Sequence, residues 1–200
     1  LPPVATSGVA GEEISKDWCP EENSDEHKEM NMKRGGNVFY RTTSEMRVED
    51  MSYTTAYRAI VGSLLWIARC TRPDIMHTVC QLSRFMQNPG YQHMQRAKRA
   101  VQYLAGTRNR GIVWHPKGPD GKMSQVITYS DSSFADQENA KSTYGYLTCL
   151  NGGSVDYASK VQLDVAHSTC EAEYVAMSKA IVSAVAMSEL LTEMEIPQET

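Results

Sequence analysis

Three carboxylates in the second half of the chain have the types and spacing to do chemistry. Asp131 closes the run Ile127-Thr128-Tyr129-Ser130-Asp131, and Glu171 and Glu173 open the run Glu171-Ala172-Glu173-Tyr174. The first run reads as a strand and the second as the start of a helix. Hard oxygen ligands brought together from a strand end and a helix start are what a two-metal phosphodiester hydrolase uses. Residue types alone leave each acid an ordinary alternative. Asp131 suits a strand-end turn, and both glutamates suit the positive end of a helix. Asp136 and Glu138 read as loop surface.

No other constellation competes. Ser142 and Ser168 lack the paired His and Asp of a hydrolase triad. His77, His93, His115 and His167 are scattered without ligand spacing and read as surface or capping residues. The five cysteines (Cys19, Cys70, Cys80, Cys149, Cys170) include no CxxC pair, which supports neither a zinc site nor a disulfide framework. Reduced thiols in a cytosolic or nuclear setting are the simpler reading.

Charge is strongly segregated beneath a net −4. Residues 1–50 hold 6 Lys/Arg against 11 Asp/Glu, residues 51–120 hold 10 against 2, and residues 121–200 hold 4 against 11. A basic block between acidic flanks suggests a polyanionic partner at the centre and metal toward the end. Arg84, Arg96, Lys98, Arg99, Arg108 and Arg110 are the candidate phosphate contacts. A solvated basic helix pair accounts for the same charges.

The elements that would position these groups follow from periodicity. Residues 1–50, with Glu21-Glu22-Asn23-Ser24-Asp25-Glu26 at their centre, are read as an acidic, mostly disordered linker. Ile60, Val61, Leu64, Leu65 and Ala68 make one helical stripe. Pro73 restarts the chain for a second stripe of Ile75, Val79, Leu82 and Met86, stopped by Asn88-Pro89. A third helix over residues 91–105 turns Met94, Ala97, Val101 and Leu104 inward, with Gly106 placed for a left-handed cap. Strands are expected at 111–115, 126–130, 144–150 and 154–159, with turns at Lys117-Gly118-Pro119-Asp120-Gly121 and Asn151-Gly152-Gly153. A long helix follows, entered through a Ser168/Glu171 capping box and burying Tyr174, Met177, Ile181, Val185 and Leu190 or Leu191. The fold class is α+β, or mixed α/β. No run of about 18 apolar residues is present, so no membrane span is expected. The amino terminus has neither an initiator Met nor a signal pattern and reads as a cut from a longer chain.

One ordered set of motifs carries a resemblance. Tyr57-Arg58-Ala59-Ile60-Val61-Gly62-Ser63-Leu64-Leu65-Trp66, Thr71-Arg72-Pro73-Asp74-Ile75, Leu82-Ser83-Arg84-Phe85-Met86 and Ala97-Lys98-Arg99 through Tyr103-Leu104-Ala105-Gly106-Thr107 are similar to the connecting region after the reverse transcriptase core of copia-type LTR retrotransposon Pol polyproteins. Ser130-Asp131, Lys141-Ser142-Thr143-Tyr144-Gly145-Tyr146, Ser159-Lys160 and Ser168-Thr169-Cys170-Glu171-Ala172-Glu173-Tyr174 resemble the start of that polyprotein's ribonuclease H domain. The match runs in family order over about residues 51–195. Behind the acidic linker read over 1–50, which matches only loosely, it implies a thumb-like helical connection over 51–110 and the N-terminal part of a ribonuclease H-like fold over 111–200.

The resemblance also implies an activity: hydrolysis of the RNA strand of an RNA–DNA hybrid by two Mg²⁺ or Mn²⁺ ions held by carboxylates. Asp131 would be the strand ligand and Glu173 the helix ligand, with Glu171 a neighbour. The implied partners are the hybrid and the remainder of the Pol polyprotein, with no membrane. The implied setting is the cytoplasm, including virus-like particles, and the nucleus. The chain departs from the family in three ways. Phe134-Ala135-Asp136 replaces Trp-Ala-Gly, and Cys170 replaces a common Thr. The sequence reaches Thr200 without the further aspartates the family carries after this helix. The expectation is therefore a half-built site without nuclease activity in this chain alone. The rivals are a non-catalytic nucleic-acid-binding module and a degenerate transposon remnant.

Overall fold

The computed structural model describes residues 4–6, 14–22, 24–32, 52–117, 125–137 and 139–196. Residues 37–40, residues 118–121 and Glu138 lie outside them. The chain divides into two compact units, Leu1–Arg110 and Gly111–Thr200.

The first unit is helical. Helix α2 (Tyr53–Cys70) starts at Ser52, whose hydroxyl accepts the Thr55 N–H at 3.2 Å. Its stripe of Ile60, Val61, Leu64 and Ala68 is buried, with Leu65 at the rim. A 3-10 turn at Pro73–Ile75 leads into α3 (Met76–Ser83), which turns Val79 and Leu82 inward. Helix α3 ends well before Asn88-Pro89. Tyr57 ties α2 to the end of α3 by donating its hydroxyl to the Leu82 carbonyl at 2.8 Å. Helix α4 (Tyr91–Gly106) buries Met94 and Ala97, but Ala100 and Tyr103 take the inward places expected of Val101 and Leu104.

The end of α4 differs from the glycine cap read in the sequence. Gly106 stays helical, and Thr107, at φ −123°, is the cap residue. The carbonyl there is satisfied by an arginine instead. Arg72, only 4% exposed, donates Nη1 to the Thr107 carbonyl at 2.9 Å and Nη2 to its hydroxyl at 2.6 Å. The same guanidinium grips both oxygens of Asp74 at 2.9 and 2.8 Å, and Tyr103 donates its hydroxyl to Asp74 at 2.7 Å. Burial alone would raise the Asp74 carboxyl, but the bonds from Arg72 and Tyr103 outweigh it and hold the group low.

The acidic stretch also departs from expectation. Where a disordered linker was expected, the described residues form a 3-10 turn at Lys16–Trp18 and helix α1 (Asp25–Asn31). Both are anchored on the helices: Met30 is buried, Thr54 Oγ1 donates to Asn31 Oδ1 at 3.0 Å, and Asn88 Nδ2 donates to the Pro20 carbonyl at 2.8 Å. A few apolar anchors and long-range bonds suffice to order these described residues although their composition is polar.

The second unit is a three-stranded antiparallel sheet with one helix. Strands β1 (Val126–Ser133), β2 (Thr143–Leu150) and β3 (Gly153–Val161) lie in the order β1-β2-β3. Asn151 and Gly152, at φ 50° and 81°, make the two-residue β2–β3 turn, and positive φ at both central residues is what a tight hairpin requires. The strand expected at 111–115 is not formed. Among the described residues that segment makes one backbone bond, His115 N–H to the Asn151 carbonyl at 3.1 Å, and it lays the Trp114 ring where a Cβ on Gly153 would lie 2.4 Å from it.

Helix α5 (Thr169–Glu193) begins at Ser168, whose hydroxyl accepts the Glu171 N–H at 3.1 Å. Glu171 accepts in return from His167 N–H at 2.7 Å, one residue before the cap. The buried face of α5 corrects the sequence reading. Ala172, Ala176, Ala180 and Leu191 are inward, whereas Tyr174 and Ile181 are 62% and 53% exposed, and Met177, Val185 and Leu190 are exposed as well. Apolar residues occupy nearly every side of this helix, so periodicity cannot select a face, and small alanines allow the closest approach to a sheet. By length and composition α5 is also apolar enough to cross a membrane, although its residues are interrupted along the chain by Glu171, Glu173, Lys179 and Glu189.

Candidate functional site

Asp131 sits on β1 opposite Gly145 of β2, two residues in from the Thr143 end of that strand. The first turn of α5 is tied to the same end: the buried Gln162, whose N–H bonds to the Ser142 carbonyl, donates Nε2 to the Ala172 carbonyl at 2.9 Å. Glu173, next in sequence, precedes Ala176 by three residues and Ala180 by seven, which puts it on the flank of the sheet-facing row. Asp131 and Glu173 therefore lie on packed elements toward one end of the unit, and both are exposed.

They do not share a face of the sheet. The Thr128, Thr148 and Ser183 hydroxyls form one hydrogen-bonded row, which turns the Thr128 set of β1 toward α5. The register is regular from Thr128 to Asp131, so alternation puts Asp131 in the other set. Among the described residues, no group of three His, Cys, Asp or Glu side chains gathers around a point. Two carboxylates fit a hard divalent cation in donor type, but they do not fit a two-ion site in number. Asp136, read as loop surface, is half-buried, with Oδ1 enclosed and without a hydrogen-bond partner. Ala135 before it is held at φ 52°.

A second polar cluster had no sequence signal. Asp156 of β3 accepts from the Ser183 hydroxyl at 2.5 Å and from the Tyr146 hydroxyl at 3.1 Å. Burial, with the Asp156 charge adding to it, pushes the Tyr146 hydroxyl up to about 12. The cluster joins β2, β3 and α5, whose sequence separations leave no local motif.

The six basic candidates belong to the helical unit and divide by environment. Arg96 lies over the Trp18 ring at 5.6 Å, and burial together with the Arg99 charge pulls its guanidinium down. Arg99 donates to Thr6 Oγ1 at 3.2 Å, and Arg84 to Gln81 Oε1 at 3.0 Å. Lys98 is half-buried, while Arg108 and Arg110 are exposed just past α4.

His93 is the capping histidine of the two alternatives read in the sequence, and not a surface one: it caps the start of α4. It is fully buried, stacked on Phe85 at 4.2 Å, and beside Trp18 and Tyr57. Nδ1 accepts the Gly90 N–H at 3.0 Å, which leaves Nε2 to carry the proton and donate to the Ser15 carbonyl at 2.9 Å. Its role is to dock the N-terminal segment.

No family model matches the chain, and no solved structure does. Curated relatives do. The chain is 38% identical over 144 residues to the retrovirus-related Pol polyprotein from transposon TNT 1-94 of Nicotiana tabacum, covering 72% of this chain and 10% of that protein. It is 40% identical over 143 residues to the Pol polyprotein from transposon RE1 of Arabidopsis thaliana, covering 71% and 9%. It is also 39% identical over 130 residues to secreted RxLR effector protein 161 of Plasmopara viticola, covering 64% of this chain and 89% of that protein. The chain thus spans about a tenth of the length of the Pol polyproteins it matches. With its helical unit followed by antiparallel strands and a long helix, it belongs to the family of retrovirus-related Pol polyproteins of copia-type transposons.

Proposed function

We propose that this chain is the part of a Pol polyprotein that joins the connection helices of reverse transcriptase to a ribonuclease H-like unit. In this reading Asp131 and Glu173 are two of the carboxylates that hold Mg²⁺ or Mn²⁺ for hydrolysis of RNA in an RNA–DNA hybrid. The observation that carries it is the placement of both acids toward one end of a sheet-and-helix unit in a chain similar to Pol polyproteins. Two carboxylates that do not share a face of the sheet cannot clamp two ions, so in this reading the chain acting alone does not cut the hybrid.

The second reading, a binding module without catalysis, is favoured by the basic residues of the helical unit, Arg108 and Arg110 above all. Titrating the chain against an RNA–DNA hybrid with Mg²⁺ tests both. Salt-sensitive binding without cleavage is expected. Cleavage abolished by Asp131→Asn would overturn the inactivity, and neither binding nor cleavage would leave a degenerate remnant.

A further inference from the structure

Helix α5 carries no apolar stripe that would fix which side faces the sheet. Apart from Leu191 in the last turn, its inward residues, Ala172, Ala176 and Ala180, are small, and large apolar groups stand outward. Hydrophobic burial would reward several rotations of this helix at least as well as the one observed. Two polar attachments distinguish the observed setting. One is Gln162 Nε2 to the Ala172 carbonyl, and the other is the Ser183 cluster eleven residues on. Eleven residues are about three turns, so both attachments fall on the alanine side.

The direction of the hydrogen bonds follows from proton count. A carboxylate only accepts, so Ser183 spends its one proton on Asp156 Oδ2 at 2.5 Å. Thr148, which is fully buried, must then donate to Ser183 at 2.9 Å, and Thr128 donates to Thr148 at 3.2 Å. Three hydroxyls from two strands and the helix are thereby polarised toward one charge, and Tyr146 adds a second donor to the same oxygen. A one-residue rotation of α5, about 100°, would remove Ser183, leave Thr148 with the Thr128 hydroxyl as its remaining partner, and break the chain of donors to Asp156.

We propose that Asp156, acting through Ser183, is a positioning residue that sets the rotation of α5 and so holds Glu173 on the flank next to the sheet. The link to Glu173's role as a ligand rests on the function proposed above. The rotational setting does not.

The test uses the full chain carrying either Ala180→Cys, a buried position, or Val182→Cys, an exposed one. Pulsed maleimide labelling is read by peptide mass spectrometry, which separates these sites from the native cysteines. With Asp156 intact, position 180 should label at least about tenfold more slowly than 182. Asp156→Ala should narrow that ratio several-fold, and Asp156→Asn, which keeps an acceptor oxygen, should largely restore it. A ratio unchanged in Asp156→Ala overturns the proposal. If that variant fails to fold, Ser183→Ala, which removes the donor to Asp156 and the acceptor for Thr148, must narrow the ratio instead, and an unchanged ratio there is equally decisive against it. Mn²⁺ binding followed by water-proton relaxation separates the two readings. Binding lost in both Glu173→Gln and Asp156→Ala supports the positioning of Glu173. Absence of Mn²⁺ binding in the parent chain removes the ligand role, while the labelling ratio still decides the rotation.

Discussion

Gly90 and Trp18 meet so closely that a Cβ on the glycine would stand 1.6 Å from the Trp18 carbonyl oxygen. The backbone at Gly90 is ordinary, at φ −84°, so the requirement is steric and not conformational. Gly90→Ala should push the segment of residues 14–22 off the helical unit, costing about 1–3 kcal/mol as over-packing does. Limited proteolysis should then cut near Trp18 well before the helices. Resistance equal to the parent would refute this.

Arg72 is expected to be the most costly single charge to remove. Arg72→Ala abandons the Thr107 carbonyl and leaves Asp74 without its bidentate partner. The loss should be about 2–4 kcal/mol, at or below the usual figure for a broken buried pair because Asp74 keeps solvent contact. Arg72→Lys should recover little, since an ammonium cannot reach both partners in one plane. Urea denaturation measures both variants, and full recovery by lysine would contradict the geometry.

Burial holds the His93 ring below its ordinary value near 6.5, against a smaller opposing effect of its bond to the Ser15 carbonyl. The unfolded chain then takes up the proton first. His93 should add stability that is fully present above about pH 6.5 and lost as pH falls through the lower, folded value. Melts between pH 7.5 and pH 5 should show a decline that is shallower in His93→Gln. Parallel declines would assign the loss to other groups.

Ala135 occupies left-handed backbone at φ 52° in the loop after β1. A side chain there costs roughly 1–2 kcal/mol, and glycine's extra entropy returns about 0.5–1 of it. Ala135→Gly should therefore raise stability by about 0.5–1 kcal/mol, seen as a higher Tm. An unchanged or lower Tm would mean that the loop holds this conformation without strain.

If the helical unit binds nucleic acid, its arginines should contribute unequally. Arg108→Ala and Arg110→Ala should each reduce the slope of log K against log salt by about 1, the mark of a lost phosphate contact. Arg96→Ala, whose guanidinium lies on Trp18, should destabilise the fold more than it changes that slope. Equal slopes for all three variants would defeat the distinction.

The legible parts were those with a local physical cause. The stripes of Ile60–Leu64–Ala68 and Ile75–Val79–Leu82, the Asn151-Gly152 turn and the Ser168 cap each act within a few residues. For the candidate site, residue order pointed to Asp131 and Glu173 through resemblance, but not to their faces. Position 111–115 was misread because alternation signals a strand only when a partner strand is present, and among the described residues that segment makes one backbone bond.

By itself, the sequence determined the order of the elements from α2 to α4 and from β1 to α5, the two-part organisation of basic helices followed by strands and helix, and the acids available for chemistry. Tertiary structure alone decided which side of α5 meets the sheet, that His93 and Met30 tie the acidic segment down, and that Asp156 collects Ser183 and Tyr146. The reason is range. Periodicity and capping act over one or two turns, whereas these choices depend on side chains 27, 10 and 78 residues apart meeting in a packed interior.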